Sequence, residues 1–259
     1  MAFRELMTAL RYPHKGDALR YILRQPSLLL GLSGRWADRY YGRAVRGFFG
    51  DPLTSAWRDA LPEDFRNYVV SHEEADHQGW RMLLYLLVRK YRPKVFVETG
   101  VWRGASSAYI LAAMRENGVG KLYSIDLPPP DAAVEKSTSG LRLSDGQNFI
   151  THGIGDYVPD FLRDRWELIL GDANKELPAL LSRLKTIDVF FHDSLHTYDH
   201  MSFEFKAAWP HLVPGGWMLS HDVVWNAAWS EFTRSVGVRG FIYHSLGMFQ
   251  RPGGAPARP

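Results

Sequence analysis

Short apolar runs alternate with amphipathic stretches along the chain from residue 94 onward. The apolar runs have the length of buried strands, and the stretches between them place apolar residues three and four apart, which is typical of helices that cover a sheet. This alternation predicts an α/β fold with a mostly parallel sheet. The predicted strands are residues 95–97, 121–125, 166–170, 187–191 and 217–220, with two more within 240–251. The predicted helices are residues 105–114, 174–184 and 198–212.

Residues 1–70 follow a different pattern, and we predict that they form a basic helical N-terminal arm. Proline and glycine interrupt the apolar positions there, so only short helices are expected. Ser71 and the residues up to Glu74 have the character of a capping box, which predicts a helix from this point to about Tyr91. The predicted domains are therefore the arm, residues 1–70, and a Rossmann-like α/β domain, residues 71–259.

Residues 127–165 interrupt the alternation and form a predicted insertion in that domain. The segment starts with three prolines, is rich in glycine, serine and aspartate, and is too long for an ordinary connection between a strand and a helix. We expect it to form a lid over an acceptor, with a helical turn at residues 158–163.

Composition excludes several classes of protein. The chain has 259 residues, of which 46% are apolar, so a sizeable core is expected, and it contains no cysteine. The lack of cysteine excludes disulfides, thiolate metal ligands and a cysteine nucleophile. No apolar run approaches the roughly 20 residues of a membrane span, and the N-terminus lacks the layout of a signal peptide. We therefore expect a cytoplasmic protein.

Basic charge is concentrated at the start of the chain. Residues 1–50 contain nine arginines and lysines and three acids, a net charge of +6, whereas the whole chain has a net charge of +3. A solvated arginine-rich arm explains this excess, and so does peripheral contact of residues 1–50 with anionic lipid. Nucleic-acid binding would require basic residues and stacking aromatics on one face, and we expect no nucleic-acid partner.

Each of the first five predicted strands is followed by an acid. Parallel strands end at the same edge of a sheet, where α/β proteins bind their ligands, so these carboxylates are expected to converge on one crevice. Any single one is also explained as the N-cap of the next helix. The acids are Glu98, Asp126, Asp172, Asp193 and Asp222.

The turn after the first strand has a glycine pattern of its own. Gly100 and Gly104 separate the strand from the next helix, which is the plan of a nucleotide-binding βα unit. Glu98 would repel a diphosphate but attract a cationic ligand, and a dinucleotide site would need a third glycine. Asp126 is suitably placed to bind the hydroxyl groups of a ribose. A glycine turn without any ligand remains the alternative.

Five segments follow one another in order between residues 95 and 223. They are E-T-G-V-W-R-G-A-S-S, Y-S-I-D, L-I-L-G-D-A, D-V-F-F-H-D-S-L-H-T-Y and P-G-G-W-M-L-S-H-D-V. Together they resemble the class I S-adenosylmethionine-dependent methyltransferases, above all the branch of metal-dependent macrolide sugar O-methyltransferases and cephalosporin-hydroxylase-like proteins. The resemblance implies a doubly wound sheet of seven strands with an antiparallel last strand.

The resemblance also implies which residues bind S-adenosylmethionine. Glu98 is implied to hold the amino group of the methionine part, Ser106 to lie near its carboxylate, and Asp126 to bind the ribose. Asp172 and Ala173 are implied to meet the adenine. The full implied set for the cofactor is Glu98, Thr99, Gly100, Gly104, Ser106, Asp126, Asp172, Ala173 and Asp193. The charge of Glu98 agrees with this cofactor, which carries an ammonium and a sulfonium.

The segment around Asp193 and His196 carries the expected chemistry. Carboxylates from adjacent strand tips, Asp193 and Asp222, can share a hard cation such as Mg²⁺, which would lower the pKa of an acceptor hydroxyl. His196, a residue type with an ordinary pKa near 6.5, could then take the proton. The resemblance places the metal ligands at Asp193, His221 and Asp222 and the base at His196, so the expected catalytic residues are His196 and Asp193.

Residue 221 departs from the family pattern, because the family usually has an acid where this chain has His221. Nitrogen is a poorer ligand for Mg²⁺ than carboxylate oxygen and suits Mn²⁺, Fe²⁺ or Zn²⁺ better. We therefore expect a divalent metal, magnesium by resemblance, with manganese as the alternative.

The expected function is S-adenosylmethionine-dependent O-methylation of a sugar or another small natural-product acceptor. One alternative is a hydroxylase-type or NAD-linked enzyme on the same fold. Another is a non-catalytic cofactor-binding protein whose basic arm contacts a membrane. The sequence leaves open the identity of the acceptor and whether the chain forms a homo-oligomer.

Overall fold

The computed structural model describes residues 61–72, 78–127, 153–243 and 245–253. Within these ranges the strands are β1 (Val95–Thr99), β2 (Lys121–Asp126), β3 (Trp166–Leu170), β4 (Ile187–His192), β5 (Leu212–Ser220), β6 (Phe241–Tyr243) and β7 (Leu246–Gln250). The helices are α1 (Glu63–His72), α2 (Gln78–Tyr91), α3 (Ala105–Asn117), α4 (Ala173–Leu184), α5 (Tyr198–Ala208) and α6 (Ala228–Ser235). The predictions for residues 1–60, including the membrane-contacting arm, lie outside the described residues.

The strands form one sheet in the order β3-β2-β1-β4-β5-β7-β6. Strands β1 to β5 are parallel, whereas β7 lies antiparallel between β5 and β6. The predicted mixed sheet with an antiparallel last strand is therefore confirmed. The strand order reverses between β1 and β4, and such a switch point is where open α/β sheets bind their ligands.

Helices cover both faces of the sheet, which explains why its strands are apolar runs without polar alternation. Helices α1 to α3 pack with Phe96 and Phe191 on one face. Helices α4 to α6 pack with Val97 and Phe190 on the other. Because neighbouring residues of a strand point to opposite faces, each short run supplies both cores at once. Among the described residues, no helix combines the length and apolarity needed to cross a membrane.

Helix α1 belongs to the core, although the predicted boundary assigns its first eight residues to the N-terminal arm. Phe65 is fully buried, and its ring meets that of Tyr109 edge-on with centroids 5.2 Å apart. Ser71 lies in the last turn of α1, where its hydroxyl donates to the carbonyl of Tyr68 at 2.8 Å. The prediction that Ser71 opens the next helix is therefore wrong.

Two other elements differ in length from the prediction. Strand β5 begins at Leu212, five residues before the predicted strand 217–220, because a register shift in its pairing with β4 accommodates the additional residues. Helix α5 ends at Ala208, since Pro210 has no amide hydrogen with which to continue it. The chain then forms the 3₁₀ turn Trp209–His211.

The described end of the insertion packs on the core. Tyr157, Val158 and Leu162 are buried, and a 3₁₀ helix, Asp160–Arg165, lies near the turn predicted for residues 158–163. Residues 128–152, on which the prediction of a lid depends, lie outside the described residues.

Candidate active site

The ends of β1 and β4 meet in a tight backbone contact at the switch point. The amide of Asp193 donates to the carbonyl of Thr99 at 2.8 Å. Gly100 has a φ of 83°, and a Cβ there would lie 2.1 Å from the carbonyl oxygen of Asp193. Only glycine therefore fits at position 100, where the chain passes the tip of β4. Residues 100–104 are called the glycine loop below.

Gly104 is required by a second contact, where the glycine loop enters α3. Its φ is 90°, and a Cβ would lie 2.7 Å from Cγ2 of Val158 and 3.0 Å from Cα of Gly155. Two backbone hydrogen bonds, of 2.8 and 2.7 Å, join the same segment to the loop. Both glycines are thus explained by packing within the protein, and their contact with a cofactor stays a prediction.

Glu98 lies inside β1, and its side chain is fully buried. Its carboxylate accepts hydrogen bonds from the hydroxyls of Ser106 and Ser107 at 2.6 Å and of Ser124 at 2.7 Å. Burial raises the pKa of Glu98 to about 7, although the three hydrogen bonds oppose that rise. The expected direct contact of Glu98 with an ammonium group does not fit a carboxylate without exposed surface. Ser106, expected near the cofactor's carboxylate, is likewise turned toward Glu98.

Asp126 ends β2 and holds the glycine loop. Its Oδ2 accepts from the amides of Val101 and Trp102 at 2.8 and 2.6 Å, and its Oδ1 accepts from the amide of Leu127 at 2.8 Å. Burial raises the pKa of Asp126 against the effect of these amides. The carboxylate thus shapes the loop, and its contact with a ribose stays a prediction.

Asp172 is the N-cap of α4. Its Oδ1 accepts from the backbone amide of Asn174 at 2.9 Å, and the buried Ala173 begins the helix. Capping therefore accounts for this acid, as one alternative interpretation of the sequence holds. Contact of Asp172 and Ala173 with an adenine ring remains a prediction.

The five strand-tip acids share one edge of the sheet without meeting at one point. They follow or end β3, β2, β1, β4 and β5, which are consecutive neighbours. At about 4.8 Å per strand, the outermost two are roughly 19 Å apart. The charge of Asp193 contributes to the raised pKa values of Glu98 and Asp126, after burial as the main cause. The acids therefore lie along the edge of the sheet rather than around one point.

Three side chains with metal-ligating atoms come together beyond β4 and β5. Oδ1 of Asp193 lies 3.1 Å from Nδ1 of His221 and 3.6 Å from Nε2 of His196. One ligand atom of each lies within 4.8 Å of the other two, so the group could hold a metal ion. Asp222 is adjacent, with Oδ1 3.5 Å from Nδ1 of His221, but its carboxylate is outside this group. His196, the predicted base, stands where a third ligand would.

The carboxylates of this group and the imidazole of His221 stabilise each other's charged forms. Burial alone would raise the pKa of Asp193, but the positive charge of His221 and the imidazole of His196 hold it well below its usual range. Burial alone would lower the pKa of His221, but the carboxylates of Asp222 and Asp193 raise it to about 9. A positive charge therefore belongs between these carboxylates, and a metal ion would supply it in place of the proton.

His221 is oriented by contacts on its other sides. Its Nε2 lies 3.0 Å from Oγ of Ser245, and its ring stacks on that of Trp80 with centroids 4.4 Å apart. Nδ1 is thereby directed at Asp193. Metal-binding histidines usually have such a hydrogen bond at the nitrogen that does not bind the ion. Asp222 follows at a φ of 50°, a left-handed conformation that marks a strained turn.

His196 is held beside this group by its neighbours. Its ring lies 5.0 Å from that of Trp225 and 5.1 Å from that of His192, and its carbonyl accepts from Nδ2 of Asn226 at 3.2 Å. Nε2 of His196 is buried and has no hydrogen-bond partner among the described residues. Oδ1 of Asp193 lies 3.6 Å away, beyond hydrogen-bond distance, so this nitrogen can take a proton or bind a metal ion beside that carboxylate.

Sequence reasoning missed Glu204, a fully buried acid in the middle of α5. Thr99, predicted to bind the cofactor, is fully buried and donates to Glu204 at 2.5 Å. A signal was present in the sequence, because Glu204 lies on the same helical face as Met201 and Ala208. Acids are seldom fully buried unless they are paired, so a carboxylate in an apolar stripe points to a specific role.

The donor set indicates which ion the group suits. Mg²⁺ prefers an octahedron of oxygen ligands that includes several waters. One carboxylate with two imidazole nitrogens suits Mn²⁺, Fe²⁺ or Zn²⁺ better. The residues present therefore fit a divalent transition metal more closely than the magnesium expected from the resemblance.

Comparison with known proteins gives one family and several related folds. Residues 97–223 match the family model described as a methyltransferase domain, and no curated protein matches the chain. The methyltransferase PaMTH1 of Podospora anserina, solved with S-adenosylhomocysteine, is 15% identical over 77% of this chain and 94% of its own, with a TM-score of 0.49. The O-methyltransferase NovP is 18% identical over 66% of this chain and 77% of its own, with a TM-score of 0.50.

A third structure is longer than this chain. MycE, a methyltransferase of the mycinamycin biosynthetic pathway solved with magnesium, S-adenosylhomocysteine and mycinamycin VI, is 18% identical over 76% of this chain, with a TM-score of 0.47. The matched part is 56% of MycE, so the chain spans little more than half of that protein. At such identities, the likeness to NovP is a likeness of fold.

The family match contains the first five strands almost entirely, with the glycine loop and the Asp193, His196 and His221 group. The sheet order, with β7 antiparallel, agrees with the fold that the sequence motifs imply. The matched domain and this fold together support the prediction of a class I S-adenosylmethionine-dependent methyltransferase.

Proposed function

We propose that this methyltransferase transfers a methyl group to a hydroxyl of a sugar or another small natural-product acceptor, with the help of a divalent metal ion. The observation that carries the proposal is the group of Asp193, His196 and His221 beside the glycine loop at the switch point. A hydroxyl is hardly ionised at neutral pH, so its methylation requires removal of the proton. A site for a cation next to an unpartnered imidazole meets that requirement.

The side chains of the chain would have separate roles in this reaction. Asp193 and His221, with Asp222 beside them, would hold the ion at the tips of β4 and β5. When bound, the ion lowers the pKa of an acceptor hydroxyl. Nε2 of His196 would take the proton, and positioning of the acceptor beside the methyl donor would supply much of the acceleration.

The cofactor would lie on the other side of the switch point, along the glycine loop and the tips of β2 and β3. Asp126 and Asp172 occupy those tips in the order proposed for ribose and adenine. The buried Glu98 would support this region from beneath by holding α3 and β2 against β1. S-adenosylmethionine supplies the methyl group as an electrophile.

The metal proposed is Mn²⁺ or another divalent transition ion. The imidazole of His221 is one of the proposed ligands, and nitrogen ligands favour such ions over Mg²⁺.

A methylation assay with a panel of glycosides and hydroxylated natural products tests the proposal. Release of S-adenosylhomocysteine is followed with and without EDTA, and binding of S-adenosylmethionine is measured separately by calorimetry. We expect turnover that EDTA abolishes and Mn²⁺ restores, and cofactor binding that survives EDTA. Turnover that persists in EDTA would rule out the assistance by metal.

A matched pair of variants controls this assay. Asp193→Asn removes the central carboxylate, whereas Asp160→Asn removes an exposed one on the 3₁₀ helix whose salt bridge lies at the surface. We expect only the first to lose turnover while it keeps cofactor binding. An NAD-linked enzyme would instead bind a nicotinamide cofactor, and a non-catalytic protein would bind S-adenosylmethionine and turn over no acceptor.

A further inference from the structure

The carboxylate of Glu204 is a fully buried acceptor of four hydrogen bonds. Its Oε2 lies 2.5 Å from Oγ1 of Thr99 and 2.6 Å from Nδ1 of His192. Its Oε1 lies 2.9 Å from both Oγ of Ser194 and Nε2 of His200. Such saturation holds the pKa of Glu204 well below its usual range, because the two imidazoles outweigh the effect of burial.

The four donors come from separate parts of the active site. Thr99 ends β1 and precedes the glycine loop, and His192 ends β4. Ser194 lies between Asp193 and His196 in the loop that carries the proposed metal ligand and base. His200 belongs to the first turn of α5, the helix of Glu204 itself. One carboxylate therefore joins both sides of the switch point to the same helix.

Hydrogen-bond direction assigns the tautomer of His192. An ionised carboxylate only accepts, so Nδ1 of His192 must carry the hydrogen. Nε2 of His192 is buried and has no hydrogen-bond partner in the described part of the chain. The ring lies 5.1 Å from that of His196 in an edge-to-face arrangement. His196 thus packs against an imidazole whose orientation Glu204 determines.

We propose that Glu204 is the positioning residue of this active site. It holds His192 as the Nδ1–H tautomer, and through Ser194 and His192 it fixes the loop of Asp193 and His196 relative to β1. The expected effect on methyl transfer rests on the proposed function, whereas the expected tautomer of His192 does not. Groups behind a metal ligand or base commonly change metal affinity or activity about 10- to 100-fold when they are removed.

Glu204→Gln tests this role, with Glu231→Gln as the matched control. Glu231 is an exposed acid on α6 that accepts a hydrogen bond from Tyr198, outside the proposed machinery. The amide of Glu204→Gln keeps the size of the side chain but has one acceptor oxygen, so it cannot satisfy four donors. Three quantities are measured: the ¹⁵N NMR shifts of labelled histidine, the affinity for Mn²⁺ by calorimetry, and the melting temperature.

We expect His192 of the unmodified protein, assigned with the help of His192→Gln, to have hydrogen on Nδ1 and none on Nε2. In Glu204→Gln we expect loss of that single tautomer and about 10- to 100-fold weaker Mn²⁺ binding. Its melting temperature should stay within a few degrees of that of Glu231→Gln. The kcat for methyl transfer should fall by a similar factor, with KM for S-adenosylmethionine nearly unchanged.

Hydrogen on Nε2 of His192 in the unmodified protein would overturn the proposal, and so would a Glu204→Gln variant with unchanged tautomer and Mn²⁺ affinity. If Glu204→Gln does not fold, Thr99→Val removes one donor of the four and should change the same quantities in the same direction to a smaller extent. No change in Thr99→Val would then overturn the proposal. The NMR and Mn²⁺ measurements need no acceptor, so they remain decisive even if no methyl transfer is found.

Discussion

Nδ1 of His221 lies 3.1 Å from Oδ1 of Asp193, and this contact joins the tip of β5 to the tip of β4. The hydrogen bond between Nε2 of His221 and Ser245 directs the first nitrogen at the carboxylate. A carboxylate at position 221 would instead be repelled by Asp193 unless a cation lay between them. The histidine therefore lets the two strand tips approach closely and changes the ion that they prefer.

His221→Asp should shift metal selectivity toward Mg²⁺. Replacement of the nitrogen ligand by carboxylate favours a hard cation, so we expect the ratio of Mn²⁺ to Mg²⁺ affinity to fall at least about tenfold. Calorimetric titration of both ions measures it. His211→Asp, at a half-buried histidine outside the metal group that bonds to the carbonyl of Lys185, is the control and should leave the ratio unchanged. An unaltered ratio in His221→Asp would show that His221 does not face the ion.

His196→Ala separates a base from a metal ligand. If Nε2 of His196 takes the proton, turnover should fall about 10²- to 10⁴-fold while Mn²⁺ affinity stays within a few-fold of the unmodified protein. If His196 were instead a metal ligand, turnover and Mn²⁺ affinity would fall together in this variant. Single-turnover methylation and Mn²⁺ calorimetry on the same preparation measure the two quantities. Unchanged turnover would remove His196 from the mechanism altogether.

Glu98 should make the free energy of unfolding depend on pH. Burial raises its pKa to about 7 in the folded protein from an ordinary value of 4.5. Between these values the folded chain keeps a proton that the unfolded chain releases, so the stability contributed by Glu98 is present below pH 4.5 and lost as pH rises through 7.

Glu98→Gln removes this titration, since an amide stays neutral and serine hydroxyls can accept as well as donate. We expect the unfolding free energy of the unmodified protein, minus that of Glu98→Gln, to be higher at pH 4.5 than at pH 8 by on the order of 3 kcal/mol. Urea denaturation at both pH values measures the difference. A difference that rises with pH would mean that Glu98 is stabilised as an anion.

Gly100→Ala should disrupt the junction of β1 and β4. The added Cβ would lie 2.1 Å from the carbonyl oxygen of Asp193 at a φ of 83°. We expect the free energy of unfolding to fall by at least about 3 kcal/mol, from left-handed strain and steric overlap together, and cofactor binding to weaken. Gly118→Ala is the control, because its φ of 66° is also left-handed but a Cβ there meets nothing within 4 Å.

Gly118→Ala should therefore lower the free energy of unfolding by only about 1 to 2 kcal/mol and leave cofactor binding unchanged. Chemical denaturation and calorimetry measure both variants. Equal losses in stability would show that strain alone, without the contact to Asp193, requires glycine at position 100.

Much of the fold followed from local pattern. The apolar runs at residues 95–97 and 187–191 predicted strands because a strand buried on both faces needs apolar residues throughout. The strand-tip acids could be placed on one edge because parallel strands end on the same side. The end of α5 and the start of β5 were misplaced, because a proline and a register shift act through neighbouring elements.

The sequence by itself determined the strands, the helices α3 to α5, the glycine loop and the acids and histidines at the strand tips, since periodicity and motif spacing are local properties of the chain. Only the tertiary structure decided where the side chains of Glu98, Ser106 and Thr99 point, and that Glu204 joins β1 to the loop of His196. Those outcomes include contacts between residues far apart in the sequence, 26 positions for Ser124 with Glu98 and 105 for Thr99 with Glu204. Burial and hydrogen-bond saturation at such distances arise only when the sheet and its helices are packed together.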